Sequence, residues 1–286
     1  MPLTEEGQVM VRGLVMGPGT DFIVAYFNPW IRNASASYTG SNPYQDGAWS
    51  GPEFLDPAQI TLIVHPVGGS PAGWWSLHTQ LLQAFRPIRT ETTEPEIHWR
   101  SGGKDFMMYA RPRALSPEVK NLYTGDVTTS CSLEALDPSM YSGGENGLHS
   151  VELSPYATSG GLAAPLSAPL SIFTAVAEGR GTLTNAGIDA TSLMIRIDGP
   201  VVQPRFLLVG PDGAVQTFWI DIELLADQWL EIDTGNESIV FNGVMPRLDA
   251  LRGALPLLAP GESTIEFRSA SDGGDATAHI SWRDRW

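Results

Sequence analysis

The sequence predicts a mainly β chain: an N-terminal β domain carrying one α-helix, followed by a β-sandwich. Three observations predict it. Apolar residues alternate in period two over residues 59–65, 192–197 and 264–268, the pattern of strands with one buried face. Turn residues recur about every ten positions in the second half, which suits a sandwich or barrel. One stretch alone, residues 70–85, carries a convincing helical period.

The composition bounds the rest. At 286 residues, 42% of them hydrophobic, the chain can fill one large or two ordinary cores. No window offers about 18 unbroken apolar residues, so no membrane span is expected. The opening residues are acidic early and lack the charged-then-apolar layout of an export signal, which fits a cytosolic origin. The net charge is −15, and Lys104 and Lys120 are the only lysines. A sequence-independent grip on nucleic acid needs cations to displace counterions. Stable binding to nucleic acid or to an anionic membrane is therefore disfavoured.

Taken in order, residues 9–15 and 22–27 read as two strands split by the turn Met16-Gly17-Pro18-Gly19. Residues 33–53 are rich in Ser, Gly, Pro and Tyr and read as a long loop, with Tyr38, Tyr44 and Trp49 suited to protein contacts. The strand at 59–65 turns Ile60, Leu62 and Val64 inward. The helix follows: Ser70 as N-cap, Pro71 at the first position, Trp74, Leu77, Leu81, Leu82 and Phe85 on one face, and Pro87 as the stop. Residues 96–100, 106–113 and 128–136 read as strands, with turns at Ser116-Pro117-Glu118 and Tyr123-Thr124-Gly125-Asp126. A Gly/Asn/Ser region at 143–150 separates two domains, 1–148 and 149–286.

In the second half, the prolines of residues 161–172 suit an edge or a crossing between sheets. Residues 206–209 and 215–222 flank Pro211-Asp212-Gly213 as a hairpin, and 229–233 and 238–241 flank Thr234-Gly235-Asn236-Glu237. The end reads as a third hairpin. Its first strand buries Ile265 and Phe267, its second Ala276, Ala278, Ile280 and Trp282, with Asp272-Gly273-Gly274-Asp275 between them.

Candidate chemistry is thin. Cys131 stands alone and reads as a small, half-buried strand residue. Asp233-Thr234-Gly235 matches the aspartic-protease tripeptide, but two such carboxylates must share a proton and no second copy exists. A hairpin turn explains it. Asp272 and Asp275 offer too few oxygens for calcium. His65, His78, His98, His149 and His279 are scattered, with no metal-ligand spacing. No catalytic, cofactor-binding or metal residue is assigned. Trp74, Trp219, Trp229 and Trp282 fall within helix or strand patterns and read as core rather than as a sugar-binding face.

The order of short motifs is similar to that of siphophage distal tail proteins, also known as siphovirus tail components or minor tail proteins. The resemblance lies in Gly161-Leu162 with Pro165-Leu166 and Pro169-Leu170; Asn185-Ala186-Gly187; Ile197-Asp198-Gly199-Pro200 and Pro204; Ile232-Asp233-Thr234; Asn242-Gly243; and the end, Leu258-Ala259-Pro260-Gly261 with Ile265, Phe267 and Trp282-Arg283-Asp284-Arg285-Trp286. It covers residues from about 160 onward well. The first half is looser, through Leu136-Asp137-Pro138 and Tyr141. The resemblance implies a ring-forming N-terminal domain and a galectin-like C-terminal β-sandwich. It further implies a homo-hexamer that joins the tail tube protein to the tail-tip hub at the distal end of a phage tail, with the tape measure and receptor-binding proteins as further partners. This is an assembly role, not catalysis. Six copies at −15 each carry −90, and only charges facing the bore would be felt by passing DNA. Carboxylates should therefore outnumber cations on the inner wall. The other reading is a carbohydrate-binding β-sandwich module for host adsorption.

Overall fold

The computed structural model describes residues 3–36, 39–88, 94–121, 126–155, 179–270 and 275–286. The chain is mainly β, built of antiparallel strands, with one α-helix among the described residues. It divides into two compact units, Met1–Gly147 and Leu148–Trp286.

Unit one opens with β1 (Val9–Val11) and β2 (Leu14–Met16), a hairpin rather than the single strand expected over 9–15. Arg12 and Gly13 both take positive φ there, +47° and +83°, as a two-residue primed turn requires. An arginine at such a position hides the turn from a composition-based reading. Next come β3 (Phe22–Asn28), β4 (Ala34–Ala36), β5 (Thr39–Ser41), β6 (Ala48–Ser50), β7 (Glu53–Leu55) and β8 (Ala58–Pro66). In β8, Ala58, Ile60, Leu62, Val64 and Pro66 are buried, so the alternation seen in the sequence is the alternation of faces.

Helix α1 (Pro71–Ala84) starts as expected: the Ser70 hydroxyl accepts the Gly73 N–H at 3.1 Å. Its buried face is Trp74, Leu77, His78, Leu81 and Ala84, with Phe85 buried at the C-cap. Leu82, expected on that face, is 45% exposed, because a residue five places from Leu77 has turned out of the stripe.

The unit closes with β9 (Glu96–Ser101), β10 (Lys104–Tyr109), β11 (Arg111–Asn121), β12 (Asp126–Ala135) and β13 (Tyr141–Ser142). One sheet runs β13-β10-β9-β1-β2, the other β11-β12-β8-β3. Ser116-Pro117-Glu118, expected as a turn, lies inside β11, where Pro117 pairs with Thr129. Strand β11 is at the sheet edge, the one place where a strand tolerates a missing N–H. The expected turn at 123–126 falls largely outside the described residues. Trp99 of β9 is 2% exposed, with Phe27 of β3 edge-on at 5.7 Å and Phe106 of β10 stacked at 5.6 Å. Phe106, Met107 and Met108 are buried in succession, so β10 is covered on both faces.

Unit two is a β-sandwich. Its strands are β14 (Leu148–Leu153), β15 (Arg180–Asn185), β16 (Met194–Asp198), β17 (Val201–Val202), β18 (Arg205–Val209), β19 (Val215–Ile220), β20 (Glu223–Leu224), β21 (Trp229–Asp233), β22 (Ser238–Phe241), β23 (Met245–Pro246), β24 (Leu251–Gly253), β25 (Gly261–Arg268) and β26 (Thr277–Arg283). Six strands form the sheet β14-β26-β16-β21-β22-β23, five form β15-β25-β18-β19-β24, and β17 pairs with β20. The inner faces meet in one core that includes Ile195, Ile197, Phe206, Phe218, Ile265, Phe267 and Ile280. Two of the three hairpins expected in this unit form, β18–β19 and β21–β22.

The expected terminal hairpin does not form. β25 pairs with β15 and β18, whereas β26 pairs with β14 and β16 in the other sheet. The faces were read correctly, since Ile265, Phe267, Ala278, Ile280 and Trp282 are all buried. Alternation reports which side of a strand is dry and is silent on its neighbour, so a crossing between sheets looks the same as a hairpin. The proline-rich stretch 161–172 lies outside the described residues, as do Asp272-Gly273-Gly274.

Candidate functional site

The landmarks that carry the family resemblance turn out to be places where backbone approaches backbone. Asn185 is 1% exposed; its amide donates to the carbonyls of Asp189 (2.9 Å) and Leu258 (3.1 Å) and its oxygen accepts the Gly187 N–H (3.0 Å). A Cβ on Gly187 would lie 1.9 Å from the Arg285 carbonyl oxygen, and one on Gly199 would lie 2.1 Å from that of Leu225. Asn242 and Gly243 take φ of +48° and +69° in the turn after β22, and the Asn242 oxygen accepts the Trp229 N–H at 2.9 Å.

The reactive-looking groups are engaged structurally. Asp233 accepts the N–H groups of Gly235 (2.9 Å) and Asn236 (3.1 Å) and the Asn236 side-chain amide (2.7 Å), and Thr234 accepts the Leu193 N–H. The tripeptide is thus an Asx-type turn between β21 and β22. Cys131 is fully buried in β12, more so than expected, and burial pushes its thiol up to about 12. A maleimide at pH 8 should leave it unmodified in the native chain and label it fully in denaturant. Rapid native labelling would show that unit one opens locally. The histidines have separate partners: His149 pairs with Asp284 at 3.2 Å, His98 with Glu96 at 2.9 Å, and His78 stacks on Trp74 at 4.8 Å. Among the described residues, no group of three or more His, Cys, Asp or Glu side chains could hold a metal ion. Trp74 and Trp282 are core, as read from sequence. Trp219 and Trp229 are only half-buried and lie under Arg205 and Arg196 at 5.0 and 4.4 Å.

Two features of unit one present surface without chemistry. The first is the stretch read as a loop. β4 pairs with β7 and β5 with β6, and both ladders keep one register from Ala34↔Leu55 to Ser41↔Ala48. Together the two ladders form an arm, closed where the Asn42 N–H donates to the Gly47 carbonyl at 3.2 Å. Gly40 sits opposite Trp49, whose indole occupies the space a Cβ there would need. The arm carries exposed aromatic groups: Tyr44 at 97%, Trp49 at 53% and Phe54 at 62%. Tyr38 lies outside the described residues. A lone two-stranded hairpin is marginally stable in water, and apolar surface of this kind marks a contact. The sequence signal was present in Trp49, Phe54 and the Gly40–Trp49 spacing, but the Ser and Gly between them masked the strands.

The second is a cleft of about 370 Å³ beside β3, walled by Tyr26, Phe27, Trp30 and Trp99. Three of its polar side chains are engaged: Gln8 bonds the N–H groups of Thr4 and Glu5 and the Pro18 carbonyl, Arg100 pairs with Asp105 at 3.1 Å, and Glu6 accepts from Gly102 and Gly103. A broad aromatic wall suits a protein segment better than a substrate.

No protein-family model matches the chain, and no curated protein matches it in sequence. Solved structures do match in fold. The Dit protein of phage SPP1, described as a paradigm of the hub adsorption apparatus of phages infecting Gram-positive bacteria, superposes with a TM-score of 0.64 at 11% identity, over 99% of this chain and 100% of that one. A chain of the phage P2 baseplate in its activated conformation with calcium gives 0.54 at 9% identity over 96% and 97%, and its strontium counterpart gives 0.53 at 9% over 96% of each. From end to end, this chain has the fold of the SPP1 hub protein.

Proposed function

We propose that the chain is a structural virion protein, a distal tail protein of a long-tailed phage. Six copies form a ring that joins the tail tube to the tail-tip hub, with the tape measure and receptor-binding proteins as further partners. The chain acts by assembly rather than catalysis and is made in the host cytoplasm. Unit one builds the ring, and unit two is the galectin-like sandwich. The observation that carries this reading is mutual coverage. A fold shared over 99% of this chain and 100% of the SPP1 protein leaves no large part of either unaccounted for. The exposed arm supports it, since an apolar arm suits a chain that is buried on assembly. The carbohydrate-binding alternative has less to stand on, because two of the three half-buried indoles of unit two, Trp219 and Trp229, lie under guanidinium groups.

The test is direct. Gold-labelled antibody against the chain should decorate one tail end of purified particles of the phage that encodes it. The purified protein, alone or with its tail-tip partners, should give rings in which this chain contributes six times 30.9 kDa, about 185 kDa. Absence from the particle, or label on the capsid alone, would overturn the proposal.

A further inference from the structure

We infer that the outer face of the five-stranded sheet of unit two docks another protein, one that presents a short acidic segment. This surface is complete on one copy and does not depend on the ring. Residues 148–286 hold 17 acidic residues, eight arginines and no lysine, a net charge of −9. Four of the eight arginines gather on one face. Phe206, Phe218 and Phe267 lie in the core, so the residues that alternate with them, Arg205, Trp219, Glu266 and Arg268, turn outward. The ladders set Arg268 opposite Arg205, Arg205 opposite Trp219 and Trp219 opposite Arg252, one row across β25, β18, β19 and β24. Adjacent strands are 4.7–4.9 Å apart, so the row spans about 14 Å. Arg180 joins it from β15, opposite Glu266. All four arginines are exposed.

Two carboxylates serve these four guanidinium groups. Glu266 is shared between Arg268 at 2.9 Å and Arg180 at 3.6 Å, and Asp221 takes Arg252 at 3.2 Å. Arg205 pairs with no carboxylate among the described residues; its guanidinium lies over the Trp219 ring at 5.0 Å. Like charges directly opposite in a ladder destabilise it, so the Arg205–Arg268 pair is a cost the fold carries. Stacking uses the face of a guanidinium and leaves its N–H edge to grip a carboxylate at two points. Charge complementarity therefore asks for an anion. An open sheet face suits a protein rather than a small molecule, which binds in concave sites, and Trp and Arg are the residue types that dominate protein contacts. The positive zone is short, because Glu262 stands exposed at the other end of the same face of β25, so a long polyanion would meet its own sign. A second copy, at −15 overall, is repelled before contact.

The test uses the full chain. Fluorescein-labelled hexaglutamate is titrated onto it at about 50 mM salt, where screening is weak, and followed by anisotropy. The expected result is saturable binding that Arg205→Gln and Arg252→Gln each weaken by about three- to fivefold, the scale of one exposed ion pair, with the dichroism of the wild type retained. Arg196→Gln is the control. Arg196 also lies over an indole, but it belongs to the other sheet and pairs with Asp198 and Glu231, so binding should not change. Absence of saturable binding, or binding that the Arg205 and Arg252 variants keep, overturns the inference. Tighter binding of oligothymidylate or of a sulfated hexasaccharide through the same arginines also overturns it, in favour of a polyanion. Self-association by sedimentation that Arg205→Gln abolishes overturns it in favour of a second copy. None of these outcomes bears on whether the chain forms a ring.

Discussion

Phe267→Ala should destabilise unit two by about 3–5 kcal/mol, the range for removing a fully buried aromatic side chain. Phe267 stacks on Phe206 at 4.9 Å, and Phe206 stacks on Phe218 at 5.1 Å, so three rings lie side by side across β25, β18 and β19. All three are 0% exposed. The neighbours are held by strands on either side, so the lost volume remains as a cavity rather than collapsing. Urea unfolding of the full chain, followed by near-ultraviolet dichroism, measures it. A loss below about 1.5 kcal/mol would mean that the row repacks and that the core is softer than its geometry implies.

Gly187→Ala should be comparably severe for a different reason. The loop carrying it wraps the backbone after β26: Ala186 N–H donates to Asp284 at 3.0 Å, and Ile188 and Asp189 both donate to the Arg285 carbonyl. An added methyl would lie 1.9 Å from that carbonyl oxygen, and neither side can retreat without breaking these bonds. We expect a cost at or above the top of the roughly 1–3 kcal/mol usual for overpacking. Gly213→Ala is the control. It has positive φ (+80°) and nothing within 4 Å of the new atom, so only backbone strain of about 1–2 kcal/mol applies. The difference between the two melting temperatures is the readout, and equal shifts would refute the close-approach argument.

These residues also show what the sequence could reveal. The alternation of Ile60, Leu62 and Val64 and the Ser70–Pro71 helix start were legible because each depends on neighbours a few positions away. The turn at Pro211-Asp212-Gly213 was legible for the same reason. The partners of β25 and β26 were not, because sheet membership is decided by residues far apart in sequence, as in Leu148 of β14 paired with Arg283 of β26. Pro117 misled because a proline that ends a central strand is harmless on an edge. The arm was hidden by its composition: Gly40 is there to receive an indole, not to loosen a loop. The short motifs of the second half were legible as a pattern before their cause was visible. Asn185, Gly187 and Gly199 are fixed by backbone proximity rather than by any ligand.

The position of β26 sets an order on synthesis. It lies between β14 and β16, and among the described residues β14 has no other partner in its sheet. When residues 148–260 have left the ribosome, the first strand of unit two still waits for the last. β14 joins the other strands of its sheet only after residues 277–283 have cleared the exit tunnel, whereas the preceding unit can settle before they emerge.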